Sequence, residues 1–153
     1  MDRGAHAALV YEHMLMSRHA LQGSAPHLRE AALDRSATVL LARLEASGPM
    51  SVGELAEAFD LDVSTVHRQV AAAMRSGLIE RIEDPDGGPA RKHRPSEEGA
   101  RRLRTELEGR VQAVRTVTDG WSDDELEALV GLMTRFNRSV EQIRAQPWPR
   151  PQR

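Results

Sequence analysis

The chain of 153 residues has a formal net charge of -2, 29% charged residues and no cysteine. That length holds one domain with a modest core, or a core shared with a partner. The charge excludes a uniformly basic nucleic-acid coat, so any nucleic-acid contact is local, and the missing thiols exclude disulfides, thiolate zinc sites and thiol redox switching.

No apolar run approaches the roughly 18 residues of a membrane span, and the N-terminus lacks a signal-peptide pattern. The expectation is a soluble, cytoplasmic protein without a membrane partner.

Taken in chain order, residues 5–21 carry Leu9, Val10, His13, Met14 and Met16 at near-helical spacing, and Gln22, Gly23, Ser24 and Pro26 break it. Asp34 is an N-cap candidate for a second helix, whose Ala37, Leu40, Leu41 and Leu44 fall on one face; Ser47 and Gly48 end it. "SVGELAEAF" opens with the capping-box pair Ser51 and Glu54 and predicts a short third helix.

After Asp60 and Leu61 comes "DVSTVHRQVAAAMRSG", with Asp62 as cap, Val63, Val66, Val70 and Ala73 as the expected buried stripe, and Gly77 as terminator. So short a connection is helix-turn-helix spacing. The opposite face of this fourth helix collects Ser64, Arg68, Ala71, Ala72 and Arg75, bordered by Thr65, His67 and Gln69. Such a strip is either an ordinary solvated face or a surface for close hydrogen-bonded approach to another molecule.

"LIERIEDPDGGPARKHR" then alternates apolar and charged residues around a turn-forming Asp84–Gly88, which predicts a two-stranded wing ending at or before Pro95. Asp84 and Asp86 at alternate positions also begin a calcium loop, but its twelfth position is Pro95 where a bidentate acid is required. The histidines, His6, His13, His19, His27, His67 and His93, contain no i, i+4 pair of the zinc type. No metal or cofactor is expected. There is no phosphate loop, nucleophile elbow or cysteine nucleophile, so an enzyme is not expected.

Past Ser96 the sequence turns to long helices. Leu103, Leu107, Val111, Val114 and Val117 form one apolar stripe, closed by Gly120. Ser122 and Glu125 make a second capping box, followed by Leu126, Leu129, Met133, Phe136, Val140 and Ile143 in a heptad seam. The seam either packs within its own chain or meets a second copy. Together with the first helix it exceeds what a small core needs, which favours burial between subunits.

The series "LDRSATVLLARL", "MSVGELAEAF", "DVSTVHRQV", "SGLIER", "DPDGG" with "ARK", and "SEEG" resembles the multiple antibiotic resistance regulator (MarR) family of winged-helix transcription factors, from about Ala32 to Gln142. The fold class this implies is mainly α with a small β-hairpin: a winged helix-turn-helix over 33–96, flanked by dimerisation helices over 1–32 and 97–146, with a flexible tail over 147–153, the whole a single MarR-type domain. In the tail, Trp148 is placed to dock on a partner.

The resemblance implies a homodimer that binds double-stranded DNA at an inverted repeat, with the strip's helix in the major groove and the wing at the minor groove. It puts Ser64, Thr65, His67 and Arg68 at groove-facing places. Gln69 and Arg75 extend the strip, Ser51 offers a phosphate its hydroxyl, and Arg91 and Lys92 follow the wing tip. Because neighbouring strand residues point to opposite faces, Arg91 is expected on phosphate and Lys92 to be the more solvated of the two.

Many relatives carry an arginine at the wing tip, where this chain has Gly87, Gly88 and Pro89. Arg68, Arg75, Arg81, Arg91, Lys92 and Arg94 are balanced over residues 60–94 by Asp60, Asp62, Glu80, Glu83, Asp84 and Asp86. That neutrality supports an alternative, a winged-helix module that binds protein instead of DNA. The family also implies a small-molecule effector between the dimerisation helices and the winged helix, with Tyr11, His13 and Met16, beside Met14 and His19, as candidate lining. The leading expectation is a transcriptional repressor.

Overall fold

A computed structural model describes residues 3–19 and 33–150. The chain runs α1 (Arg3–Arg18), α2 (Arg35–Ser47), α3 (Val52–Phe59), α4 (Val63–Arg75), β1 (Ile79–Ile82), β2 (Lys92–Pro95), α5 (Glu97–Val117) and α6 (Asp123–Arg144). The fold is mainly helical with one antiparallel hairpin, a winged helix with long flanking helices. The residues expected to break the first helix, Gln22 to Pro26, lie outside the described residues.

Local chemistry sets most boundaries. Asp34 accepts the Ala37 N–H at 2.7 Å and opens α2. Ser51 and Glu54 form the expected reciprocal box, as do Ser122 and Glu125. Asp62 stands at the N-cap of α4 but makes no side-chain cap bond, so that helix starts without the expected cap.

Its other end is closed by two backbone bonds, Gly77 N–H to Met74 O and Leu78 N–H to Ala73 O, the Schellman pattern, with Gly77 at φ +68°. Thr118 caps α5, so that helix ends at Val117, three residues before Gly120.

The core lies between α2, α3, α4, the hairpin and the start of α5: Leu40, Leu41, Leu44, Leu55, Val66 and Leu103 are almost completely enclosed. Each contributes roughly 1.5–3 kcal/mol by leaving water. Two expected stripes are only partly internal. Val66, Val70 and Ala73 are buried on α4, but Val63 is 58% exposed, because the first turn projects past the core. On α5 Leu103 is buried while Leu107, Val111 and Val117 are exposed, because the helix leaves the core after its first turns.

The hairpin pairs Ile79 with Pro95 and Ile82 with Lys92, and β2 ends at Pro95 as expected. One connection was not anticipated. Met50 and His93 exchange both backbone hydrogen bonds, at 3.0 and 2.7 Å, joining the α2–α3 connection to the wing as a third, one-residue strand.

Candidate nucleic-acid interface

The strip on α4 faces solvent. Ser64, His67, Arg68 and Arg75 are exposed, whereas Thr65 and Gln69 are half-buried. Those two turn toward the start of α2 and line, with Asp34, Ser36, Arg68 and Ser76, an open cleft of about 340 Å³. Arg68 donates from Nη2 to Thr65 Oγ1 at 3.3 Å, which holds the guanidinium over the strip. Among the described residues neither Arg68 nor Arg75 has a carboxylate within ion-pair distance. Arg75, and Arg68 apart from the bond to Thr65, keep donors for an external acceptor.

Ser51 and Lys92 are engaged inside the chain. The Ser51 N–H donates to Glu54 Oε2 at 2.6 Å, and its hydroxyl accepts the Glu54 N–H at 3.2 Å. Lys92 Nζ donates to both oxygens of Glu54 at 2.7 Å and lies 3.9 Å from Asp84. The Lys92 bond, and after it the Ser51 N–H, hold the Glu54 carboxyl below the usual range; Glu54 in turn raises Lys92. An anion approaching the N-terminus of α3 therefore meets a carboxylate already seated there.

The expected order on the wing is reversed. The Lys92 side chain is 13% exposed and Arg91 50% exposed, because Lys92 is drawn in as a tether between the wing and α3. Arg91 instead pairs with Glu83 at 3.0 Å, and Arg94 with Glu80 at 2.6 Å. Exposed pairs of this kind are worth at most about 1 kcal/mol, so a phosphate can displace the acid.

Arg81 joins the free cations and was missed in the sequence. It is exposed, sits opposite His93 in the register, and has no ion pair among the described residues. Burial first, and the Arg81 charge after it, disfavour protonation of His93, which sets a cation of β1 beside the buried ring. The signal was available, since Arg81 shares a strand face with the inward Ile79 but lies one step nearer the tip.

The long helices present apolar surface. No residue of α6 is buried among the described residues: in the seam Leu126 and Val140 are half-buried, Leu129, Met133 and Phe136 more exposed, and Ile143 85% exposed. The seam is thus left uncovered by the described residues of its own chain. On α1, Tyr11, His13 and Met16 are exposed; the His13 ring lies 6.2 Å from that of Phe136, and none of the three lines the cleft at α4 or a second one beside α6.

The C-terminal segment is not a free tail over its described part. Trp148 stacks on Phe59, 6.0 Å between ring centroids, beneath the Arg43 guanidinium at 5.0 Å. It docks on its own chain, because Phe59 and Arg43 leave an aromatic and a cationic surface at the ends of α3 and α2. No helix among the described residues is long and apolar enough to cross a membrane.

Over 129 residues, 84% of this chain and 90% of the relative, the sequence is 33% identical to YxaD of Bacillus subtilis (strain 168), an uncharacterised HTH-type transcriptional regulator. The chain belongs to the HTH-type transcriptional regulators and has a fold of the MarR type. The family model described as HVO_A0114 matches residues 32–95, the winged-helix part.

Solved MarR-type structures share the fold. A MarR family protein from Bacillus stearothermophilus superposes with a TM-score of 0.76 at 23% identity, covering 92% of this chain and 98% of its own. The PcaV regulator of Streptomyces coelicolor, solved with its natural ligand, gives 0.61 at 19% identity, covering 92% and 98%. YxaD and PcaV are both transcriptional regulators.

Proposed function

We propose that the chain is a homodimeric, sequence-specific DNA-binding regulator, acting in the cytoplasm as a repressor at an inverted repeat. The observation that carries this reading is the exposed α4 strip, with Arg68 and Arg75 free of carboxylate partners among the described residues. An unpaired guanidinium on a helix that fits the major groove forks onto guanine O6 and N7 or onto phosphate oxygens. The open seam of α6 supports a dimer, which would set two such helices about one helical turn apart. Arg91, Arg81 and His67 extend the contact toward the backbone, with Arg91 leaving Glu83 for a phosphate.

An effector in the manner of ligand-bound PcaV would lie near Tyr11, His13 and Met16, where a second copy of the chain is needed to close a cavity.

The test is selection from random duplex DNA, followed by titration of the enriched sequence at several salt concentrations. Enrichment of an inverted repeat, bound far more tightly than scrambled DNA, is expected. Equal, weak binding to all sequences would sink the reading. The protein-binding alternative rests on the wing, whose Arg91, Lys92 and Arg94 are neutralised by the chain's own acids.

A further inference from the structure

We propose that Trp148 is a positioning residue, which fixes the angle between α6 and the reading head. It thereby sets the half-site spacing the protein accepts. The inference rests on the DNA-reading dimer proposed above for its effect on operators, and on the clasp alone for its effect on shape.

α6 needs such a device. Among the described residues none of its side chains is buried, so apart from the turn after α5 and the His13–Phe136 ring contact little packing fixes its direction. At its far end the chain reverses: Ala145 adopts φ +53°, and the Ala145 and Gln146 N–H groups close on Gln142 O and Glu141 O. Glu141 then holds the returning strand, accepting from the Trp148 N–H at 3.3 Å and from Arg150.

From this reversed segment, contacts reach three points of the winged helix. Gln146 Nε2 donates to Glu57 O at 3.2 Å, Arg43 Nη1 donates to Pro147 O at 3.1 Å, and Trp148 packs on Phe59 beneath Arg43. Glu57 and Phe59 lie in the last turn of α3, and Arg43 lies on α2, so the clasp grips two elements of the reading head.

The Arg43 Nε is buried without a hydrogen-bond partner among the described residues. That cost is sustained only while the ring and the Pro147 carbonyl stay in place. The tryptophan is therefore the piece whose loss frees the joint. Mechanically, α6 carries the seam and α3–α4 carry the strip. A rigid link between them transmits the seam's twofold geometry to the distance between the two strips.

Two measurements test this. In the first, wild type, Trp148→Ala and Trp148→Phe are titrated against the selected operator with its half-sites one base pair closer, unchanged, or one further apart. One base pair moves the half-sites by about 3.4 Å and twists them by about 35°. Wild type is expected to lose about tenfold or more at either altered spacing, and Trp148→Ala less than about threefold, with affinity for an isolated half-site kept within about twofold. Trp148→Phe, which keeps a ring on Phe59, should restore the sharp optimum. An unchanged spacing profile for Trp148→Ala, or an equal loss on every DNA including the half-site, overturns the proposal.

The second measurement needs no DNA. Spin labels on Ala72→Cys and Arg135→Cys, unique because the chain has no cysteine, report the distance from α4 to α6, with excess unlabelled chain present. A narrow distribution that broadens in Trp148→Ala is expected. An unchanged distribution overturns the clasp even if the wild type binds no DNA, an outcome that would separately sink the functional reading.

Discussion

Gly99 lies directly beneath Leu78: a Cβ on Gly99 would stand 1.8 Å from the Leu78 carbonyl oxygen. The contact is backbone on backbone. Ser96 locks it by donating its N–H to Leu78 O at 3.0 Å and its hydroxyl to Gly77 O at 2.6 Å, while accepting the Gly99 N–H. The first turn of α5 is thus seated on the end of α4.

Gly99→Ala should therefore lose about 2–4 kcal/mol, because neither backbone can give way. Gly131, in the middle of α6 with nothing within 4 Å of its added Cβ, is the control. There Gly→Ala should gain about 0.5–1 kcal/mol from helix propensity. Urea melts of the two variants should move in opposite directions, and similar midpoints would remove the close approach from the account.

His93 is buried in the wing, its Nδ1 3.3 Å from Met50 O. Burial lowers its pKa first, opposed by the Met50 bond and aided by Arg81 and His67. The folded state thus resists a proton that the unfolded chain accepts below about pH 6.5. Stability is full above that value and falls as the pH drops from it toward the depressed folded pKa. Equilibrium melts of wild type and His93→Gln between pH 7.5 and 5 check this, and the wild type should show the steeper acid loss.

For DNA, Arg68→Ala should cost about 1–3 kcal/mol per half-site and relax base preference if the fork meets guanine. Arg91→Ala should leave preference intact and lower the slope of log affinity against log salt by about one unit per half-site. Since Arg91 must first leave Glu83, Glu83→Gln should bind more tightly than wild type. Loss of affinity in Glu83→Gln would contradict that competition.

Met133→Glu places a charge in the middle of the open seam. If two seams meet, the variant must bury that charge unpaired, and association should weaken by several kcal/mol. Sedimentation equilibrium reads the change directly; an undisturbed dimer would put the interface elsewhere.

What the sequence revealed follows from the range of each interaction. Caps such as Ser51 with Glu54, the Gly77 stop and the Leu40–Leu41–Leu44 face depend on residues within one or two turns, and they were readable. The Met50–His93 bridge, the Lys92–Glu54 tether and the Trp148–Phe59 stack join positions 38 to 89 residues apart and have no local pattern. Lys92 shows the effect on the site: strand alternation separated it from Arg91 correctly, but only the folded position of Glu54 decides which of the two turns inward. Val63 was misjudged because periodicity describes an endless helix, and the first turn of α4 overhangs its core.

The acids that neutralise the wing also bear on how such a protein would search a chromosome. Grip on arbitrary sequence comes almost wholly from cations on phosphate, and a genome offers roughly 10⁶–10⁹ competing sites. With Arg91, Lys92 and Arg94 held by Glu83, Glu54 and Glu80, a DNA-binding dimer of this chain would spend only a short residence time on random DNA. More copies then remain unbound, and occupancy of a true site tracks the amount of protein more closely than it would for a chain with a bare basic wing.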